Sequence, residues 1–204
     1  MVDTADTKNI LIVGVGGQGT ILASRVIAGV VMRRGLDIKV SEIHGMAQRG
    51  GSVVTQVRFG KEVFAPTITP GTADFILAFE KLEALRWLHY LREGGTVIVN
   101  SQELYPLPVL TGSKEYPVDT MERIRGKVSR AIEIDALEIA KKCGSPKVVN
   151  TVLLGVLAGL LDSDLEAWRE TIRETVPPRT VDINLAAFEE GIDRGKEFLS
   201  QVGN

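Results

Sequence analysis

The sequence has 204 residues, of which 44% are hydrophobic, and this length and composition predict one globular domain over residues 1–204. The 24 Lys and Arg residues nearly balance the 26 Asp and Glu residues, so no basic excess indicates nucleic-acid binding. The single cysteine, Cys143, excludes an internal disulfide framework, and it excludes an iron–sulfur cluster held by this chain alone, since such clusters usually take about four thiolates.

The polar N-terminal residues lack the apolar core of a signal peptide. Together with the low cysteine content, this favours a cytoplasmic protein. The uncharged run from Val148 to Leu161 is too short to span a bilayer and is typical of a buried helix.

The first predicted strand runs from about Asn9 to Val15 and is followed by a glycine-rich turn and a helix from about Gln18 to Arg34. The glycines Gly14, Gly16 and Gly19 have the spacing of the dinucleotide-binding fingerprint, with Gly17 as an additional glycine. Backbone amides in such a turn and the positive end of the helix favour an anion or a phosphate.

The fingerprint also requires an acidic residue at the end of the second strand, and Glu42 ends the predicted strand Asp37–Glu42. Two interpretations of the turn therefore stay open. It binds NAD or FAD, or it is a tight strand–helix turn without a ligand.

A second polar and glycine-rich segment follows that strand immediately. Its candidate binding residues are His44, Gln48, Arg49, Gly50 and Gly51. Ligands gather at the carboxyl ends of parallel strands, so these residues could face the same ligand as the first turn. Arg49 could hold a phosphate or a carboxylate with two hydrogen bonds. The alternative is a structural loop whose polar groups satisfy its own backbone.

The rest of the chain continues the alternation of strands and helices. Further strands are predicted over Ser52–Phe59, Ala73–Ala78, Thr96–Asn100 and Val128–Ile134, and helices over Lys81–Arg92, 135–143, Pro146–Leu161, Asp164–Thr175 and Asn184–Gln201. Gly94 and Gly95 are predicted to end a helix, and residues 101–119 to form a surface excursion. The pattern predicts a Rossmann-like α/β fold, with a mostly parallel sheet, helices on both faces and a helical C-terminal part.

The helix Pro146–Leu161 is apolar nearly all round and contains Gly155 and Gly159, which would allow another backbone to approach closely. It is either a central helix under the sheet or a subunit interface. No catalytic or metal-binding constellation accompanies these elements. The two histidines, His44 and His89, do not have metal-ligand spacing, and the hydrolase elbow and Walker A motifs are absent.

Two motifs together resemble a known family. Gly14-Val-Gly-Gly-Gln-Gly19, followed by Ser41-Glu-Ile-His-Gly-Met-Ala-Gln-Arg-Gly-Gly-Ser-Val53, is similar to the gamma-type domain of 2-oxoacid:ferredoxin oxidoreductases. Within this family, the small (beta) subunits of the indolepyruvate ferredoxin oxidoreductases are the nearest match. The segment Glu80–Arg86 and Asn150 also look like that subunit, and the resemblance covers nearly the whole chain.

The resemblance implies a fold, a reaction and a partner. A large (alpha) subunit would carry thiamine diphosphate and iron–sulfur clusters, and this chain would carry neither. The complex would oxidatively decarboxylate aryl pyruvates, transfer the acyl group to coenzyme A and reduce ferredoxin, while the isolated chain would be inactive. The alternatives are a stand-alone NAD- or FAD-binding dehydrogenase, a gamma subunit for another 2-oxoacid, and an assembly or regulatory module.

Overall fold

The computed structural model describes residues 7–44, 51–161 and 164–202, and this part of the chain contains one six-stranded sheet with eight α-helices. The strands are β1 (Lys8–Val15), β2 (Asp37–His44), β3 (Ser52–Gly60), β4 (Ala73–Ala78), β5 (Leu91–Asn100) and β6 (Ala131–Ile134). The helices are α1 (Thr20–Arg33), α2 (Lys81–Trp87), α3 (Leu107–Leu110), α4 (Thr120–Arg125), α5 (Ala136–Lys142), α6 (Val149–Leu161), α7 (Leu165–Thr175) and α8 (Val181–Val202).

The strand order in the sheet is β2-β3-β1-β4-β5-β6. Strand β3 is antiparallel to both of its neighbours, β1 and β2, whereas β1, β4, β5 and β6 pair in parallel. The predicted mostly parallel α/β sheet is confirmed, and β3 is the strand that runs against the others. Because β2 and β1 point the same way, their carboxyl ends lie at the same edge of the sheet.

Both faces of the sheet are covered, because successive residues of a strand point to opposite sides. Ile10 and Ile12 of β1 pack in a core with α1 and α5 to α8. Leu11 and Val13 pack in a second core with α2 and α4. All four side chains are fully buried, which explains why the sequence of β1 is a continuous run of apolar residues.

The prediction that Gly94 and Gly95 end a helix is wrong. Helix α2 ends earlier, a single 3₁₀ turn follows, and β5 already begins at Leu91. The pairing of β4 with β5 shifts between Ala73 and Phe75, and the two glycines lie in this irregular stretch, where Gly94 has a φ of 69°. Glycine serves equally well in a β-bulge and after a helix, so its presence does not distinguish them.

Most other predicted elements are present with shifted ends. The excursion 101–119 is largely exposed and contains the short helix α3, while α4 was not predicted and β6 is shorter than expected. Asp135 caps α5 by accepting a hydrogen bond of 2.9 Å from the Glu138 amide. Ser145 caps the turn before α6 by accepting one of 3.3 Å from the Lys147 amide. Both caps agree with the sequence.

Helix α6 is a central helix of the fold. It packs along α8 through Gly155 and Gly159, which face Gly191 and Gly195 of α8. Nearly every residue of α6 is buried within the described part of the chain, which favours the core interpretation over a subunit interface. Within the described residues, no helix has the length and apolar character needed to cross a membrane.

Candidate functional site

The glycine-rich turn between β1 and α1 lies at the carboxyl-terminal edge of β1. Gly17 and Gly19 have φ values of 101° and 86°, in the left-handed region that residues with a Cβ rarely adopt. The Gly16 amide donates a hydrogen bond of 2.9 Å to the Gly51 carbonyl, immediately before β3. The turn is therefore joined to the strand that lies beside β1.

The Gln18 side chain holds this turn from the inside. Its Oε1 accepts a hydrogen bond of 2.8 Å from the Val15 amide. Its Nε2 donates to the Phe79 carbonyl at 2.9 Å and to Gln102 Oε1 at 3.3 Å. Both polar atoms of Gln18 are therefore committed to the ends of β1, β4 and β5 in this structure.

Two of the glycines are also required by packing. A Cβ added at Gly14 would lie 2.9 Å from Gln18 Oε1 and 3.0 Å from Phe79 Cβ. A Cβ added at Gly19 would lie 2.8 Å from Asn150 Nδ2, at the start of α6. Distances this short force neighbouring atoms to move, so a residue with a Cβ at either position would disturb this packing whether or not a ligand binds.

The second predicted segment connects β2 to β3 beside the turn. His44 is the last residue of β2 and pairs with Val53, and Gly51 contacts Gly16. The other predicted binding residues of this segment, Gln48, Arg49 and Gly50, lie outside the described residues. The structure thus brings both ends of the segment to the sheet edge that carries the glycine turn.

A cleft of about 290 Å³ opens beside the turn, between the end of β1, the start of β3 and the start of α2. Polar side chains line one part of it and apolar side chains the other. The lining residues are Ser52, Glu80, Glu83, Arg86 and Tyr105, with Val15, Gly16, Leu82, Leu104 and Pro106. This mixture can bind a ligand that has both an apolar part and hydrogen-bonding groups.

Glu83 is a buried ionisable residue of the cleft, and its pKa is shifted. It is 4% exposed, and its Oε2 accepts a hydrogen bond of 2.5 Å from the Ser52 hydroxyl. Arg86 Nη1 lies 2.9 Å from Glu83 Oε1. Burial raises the pKa of Glu83, and the Ser52 hydrogen bond and the Arg86 charge offset this only in part. The cleft therefore contains a carboxyl group that keeps its proton to a higher pH than an exposed glutamate does.

The raised pKa of Glu83 predicts a pH-dependent contribution to stability. The folded chain binds this proton more tightly than the unfolded chain, whose pKa is near 4.5. The contribution of Glu83 to the free energy of unfolding is therefore complete below pH 4.5 and is lost as pH rises through the raised pKa. Urea unfolding of the wild-type chain and Glu83→Gln over this interval measures it. We expect the wild-type advantage to shrink with rising pH, and an advantage that grows would contradict the assignment.

Glu80 fastens the excursion 101–119 to the same edge of the sheet. It is 1% exposed, and its Oε2 accepts a hydrogen bond of 2.9 Å from the Glu83 amide at the start of α2. Its Oε1 accepts from the Leu104 amide at 3.2 Å and from the Tyr116 hydroxyl at 2.6 Å. Burial and the hydrogen bond to Glu80 raise the pKa of Tyr116 above its usual range, so this hydroxyl remains a donor. One wall of the cleft is thereby held in place by a buried carboxylate.

We expect Tyr116→Phe to lower the free energy of unfolding by about 1–3 kcal/mol, because a hydrogen bond to a buried charged group is lost. Tyr105→Phe is the matched control. The centroid of the Tyr105 ring lies 5.2 Å from that of the Tyr116 ring, but the Tyr105 hydroxyl makes no hydrogen bond with the described residues. Chemical denaturation of both variants measures the difference, and equal losses would show that Glu80 does not depend on this donor.

Glu42, the candidate ribose-binding acid, is not on a strand adjacent to β1. Strand β3 lies between them, with Glu42 opposite Thr55 and Thr55 opposite Ile12. Each strand adds about 4.8 Å, so Glu42 is displaced from the place that the dinucleotide pattern requires. Its Oε1 instead accepts a hydrogen bond of 3.1 Å from the Ser24 hydroxyl of α1. This strand order argues against the dehydrogenase interpretation.

The cleft residues Ser52 and Glu83, and Tyr116 that binds Glu80, were not among the predicted site residues. One signal in the sequence points to part of this arrangement. Glu80 and Glu83 have the spacing of a helix N-cap and the third helical residue, and Glu80 does cap α2. The contact of Ser52 with Glu83 follows from the pairing of β3 with β1, which no local pattern shows.

Comparisons with known proteins agree with this architecture. The family described as pyruvate ferredoxin/flavodoxin oxidoreductase matches residues 9–194. The chain is 40% identical over 196 residues to indolepyruvate oxidoreductase subunit IorB of Thermococcus kodakarensis, covering 94% of this chain and 97% of the relative. It is 42% identical over 190 residues to the IorB subunit of Archaeoglobus fulgidus, covering 91% and 94%.

A solved structure shares the fold. The gamma subunit of a keto/oxoacid ferredoxin oxidoreductase from Geobacter sulfurreducens superposes with a TM-score of 0.70 at 24% identity, over 93% of this chain and 99% of that one. The match of the family over most of the sequence, together with relatives of the same extent, shows that this chain belongs to the pyruvate ferredoxin/flavodoxin oxidoreductase family.

Proposed function

We propose that this chain is the small subunit of an indolepyruvate ferredoxin oxidoreductase. The complex would convert aryl pyruvates to aryl-acetyl-CoA with reduction of ferredoxin. The similarity to the IorB subunits carries the proposal, because it extends over nearly the full length of both chains. Matching length and about 40% identity support a common fold, and the proposal extends this similarity to the complex.

The cofactors of this reaction are assigned to a large partner subunit. The sequence has one cysteine, too few for an iron–sulfur cluster. The described residues also contain no group of three or more His, Cys, Asp or Glu side chains that could hold a metal ion. This donor set does not fit a cluster, so no electron-transfer step is assigned to this chain. Thiamine diphosphate and the clusters would belong to the partner, and coenzyme A would be a co-substrate of the complex.

The glycine turn and the segment 44–51 are the surface proposed to face the reaction. The hydrogen bond between Gly16 and Gly51 supports a common surface for both. Within it, Gly14 and Gln18 shape the turn through packing and hydrogen bonds. The proposed contacts to coenzyme A or to the partner come from Gly16, Gly17, Gly19, His44, Gln48, Arg49, Gly50 and Gly51.

Reconstitution with the large subunit tests the function. We expect the purified pair, loaded with thiamine diphosphate and its clusters, to reduce ferredoxin with indolepyruvate and coenzyme A, and neither chain alone to do so. Pyruvate in place of indolepyruvate tests for another 2-oxoacid. Full activity of the large subunit alone would instead favour an assembly or regulatory role. Micromolar binding of NAD to this chain, measured by calorimetry, would restore the dehydrogenase alternative.

Arg49→Ala is expected to impair turnover of the reconstituted complex more than it impairs folding. The sequence around Arg49 is polar and rich in glycine, and a substitution at a surface position changes the free energy of unfolding by no more than about 0.5 kcal/mol. Loss of a bidentate contact to an anionic ligand should lower kcat/KM by about tenfold or more. Lys61→Ala, an exposed cation after β3, is the control. Full activity combined with a lowered melting temperature in Arg49→Ala would show that Arg49 is structural.

A further inference from the structure

Two long helices begin side by side on the same face of the sheet. Gly155 faces Gly191 and Gly159 faces Gly195, so the contacts advance in the same direction and α6 and α8 pack in parallel. Near their starts, the Thr151 hydroxyl donates a hydrogen bond of 2.6 Å to Asn184 Oδ1. The positive ends of both helix dipoles therefore lie at the same place.

A cavity of about 290 Å³ lies at these two helix starts. Its charged lining residues are Lys147, just before α6, and Arg179, just before α8, and no acidic residue lines it. Within the described ranges, no ion pair joins either cation to a carboxylate. Two helix ends and two unpaired cations give this cavity a positive potential.

Asn150 supplies an independent observation, a side-chain donor that has no partner among the described residues. Its side chain lines the cavity and the residue is 5% exposed. Its Oδ1 accepts a hydrogen bond of 3.0 Å from the Thr151 amide, but its Nδ2 donates to no described residue. The neighbouring Asn184 uses both of its polar atoms, since its Nδ2 donates to the Thr180 carbonyl at 2.8 Å. This nitrogen is therefore available to donate a hydrogen bond to an anion bound in the cavity.

From this convergence we propose that the cavity binds a phosphate or pyrophosphate group, either as the free anion or as part of a nucleotide. Lys147 and Arg179 would neutralise its charge, and Asn150 Nδ2 would donate to one of its oxygens. The Ser145 hydroxyl, which accepts from the Lys147 amide, keeps its own proton for a second donation. This site is separate from the cleft at Glu83, and it rests on the residues of this chain alone.

Calorimetry on the full chain at low ionic strength tests the proposal with pyrophosphate as the probe. We expect saturable binding that weakens with added salt. In the double variant Lys147→Gln/Arg179→Gln, binding should weaken by about tenfold or more, because two charge-assisted contacts are lost. Both side chains are exposed, so the fold should be retained. Lys196→Gln, at the far end of α8, is the matched control and should bind like the wild type.

Asn150→Asp tests the Nδ2 donor, since a carboxylate of nearly the same size would repel the anion. The melting temperatures of this variant and of the double variant show whether each one folds. Binding should be lost in both. ADP and coenzyme A, added in competition with pyrophosphate, distinguish a nucleotide-borne phosphate from the free anion. No pyrophosphate binding at millimolar concentration, or unchanged binding in the double variant, would overturn the proposal. No partner subunit is needed, so this failure would leave the proposed function untouched.

Discussion

Gly155→Ala should destabilise the chain by about 3 kcal/mol, because the added methyl group overlaps backbone rather than a movable side chain. A Cβ at this position would overlap the Phe188 carbonyl oxygen and lie 2.9 Å from the Gly191 Cα. The intrinsic gain in helix propensity, about 1 kcal/mol, does not compensate for forcing α6 and α8 apart. Urea unfolding followed by circular dichroism measures the loss.

Gly29→Ala in α1 is the matched control. A Cβ there would also be crowded, but its nearest neighbour is the Thr171 side-chain methyl of α7. Relieving this contact displaces one side chain, whereas relieving the contact at Gly155 displaces the backbone of α8. We expect Gly29→Ala to cost clearly less than Gly155→Ala. Equal costs in the two variants would show that the contact between α6 and α8 adapts more easily than close backbone packing allows.

The same pair of helices shows what a sequence pattern can and cannot predict. Gly155 and Gly159 predict that another backbone approaches α6, but not which one. The partner glycines, Gly191 and Gly195, have the same spacing in α8, so the pattern that identifies the partner is present in the sequence. An intramolecular and an intermolecular partner would produce the same pattern, and only the tertiary structure distinguishes them.

The elements that depend on local chemistry were predicted well, and those that depend on pairing were not. Strand β1, its glycine turn and α1 follow from an apolar run, positive-φ glycines and an amphipathic stretch. The direction of β3 does not follow from its sequence, because a strand buried on both faces has the same composition in either direction. This one pairing moves Glu42 away from β1 and brings Ser52 to Glu83.

The candidate site divides in the same way. The glycines of the turn were predicted from their spacing, and the structure places them at the expected edge of the sheet. The role of Gln18 was not predictable, since its partners Phe79 and Gln102 are distant in sequence. The sequence alone predicts an exposed side chain for a glutamate such as Glu80. Its burial results from contacts with the excursion 101–119, which are distant in sequence.

Substitutions at the two positive-φ glycines of the turn distinguish the cost of backbone strain from the cost of close packing. Gly17 has a φ of 101°, and no described residue lies within 4 Å of a Cβ added there. A Cβ at Gly19, with a φ of 86°, would lie 2.8 Å from Asn150 Nδ2. Gly17→Ala should therefore cost only the left-handed conformation, about 1–2 kcal/mol. Gly19→Ala should cost about 2–4 kcal/mol, because it adds the displacement of a buried side chain. Thermal and urea unfolding of both variants measures the difference.

Asn150→Ala completes the test as a double-mutant cycle. Removing the amide leaves only the Cβ of residue 150, which lies at an ordinary distance of 3.5 Å from a Cβ at Gly19. In this background, Gly19→Ala should cost no more than Gly17→Ala, and the interaction energy of the cycle equals the cost of the close approach. If Gly19→Ala remains the more costly change without the amide, the conformation of the turn itself, and not the packing of α6 against it, requires glycine at this position.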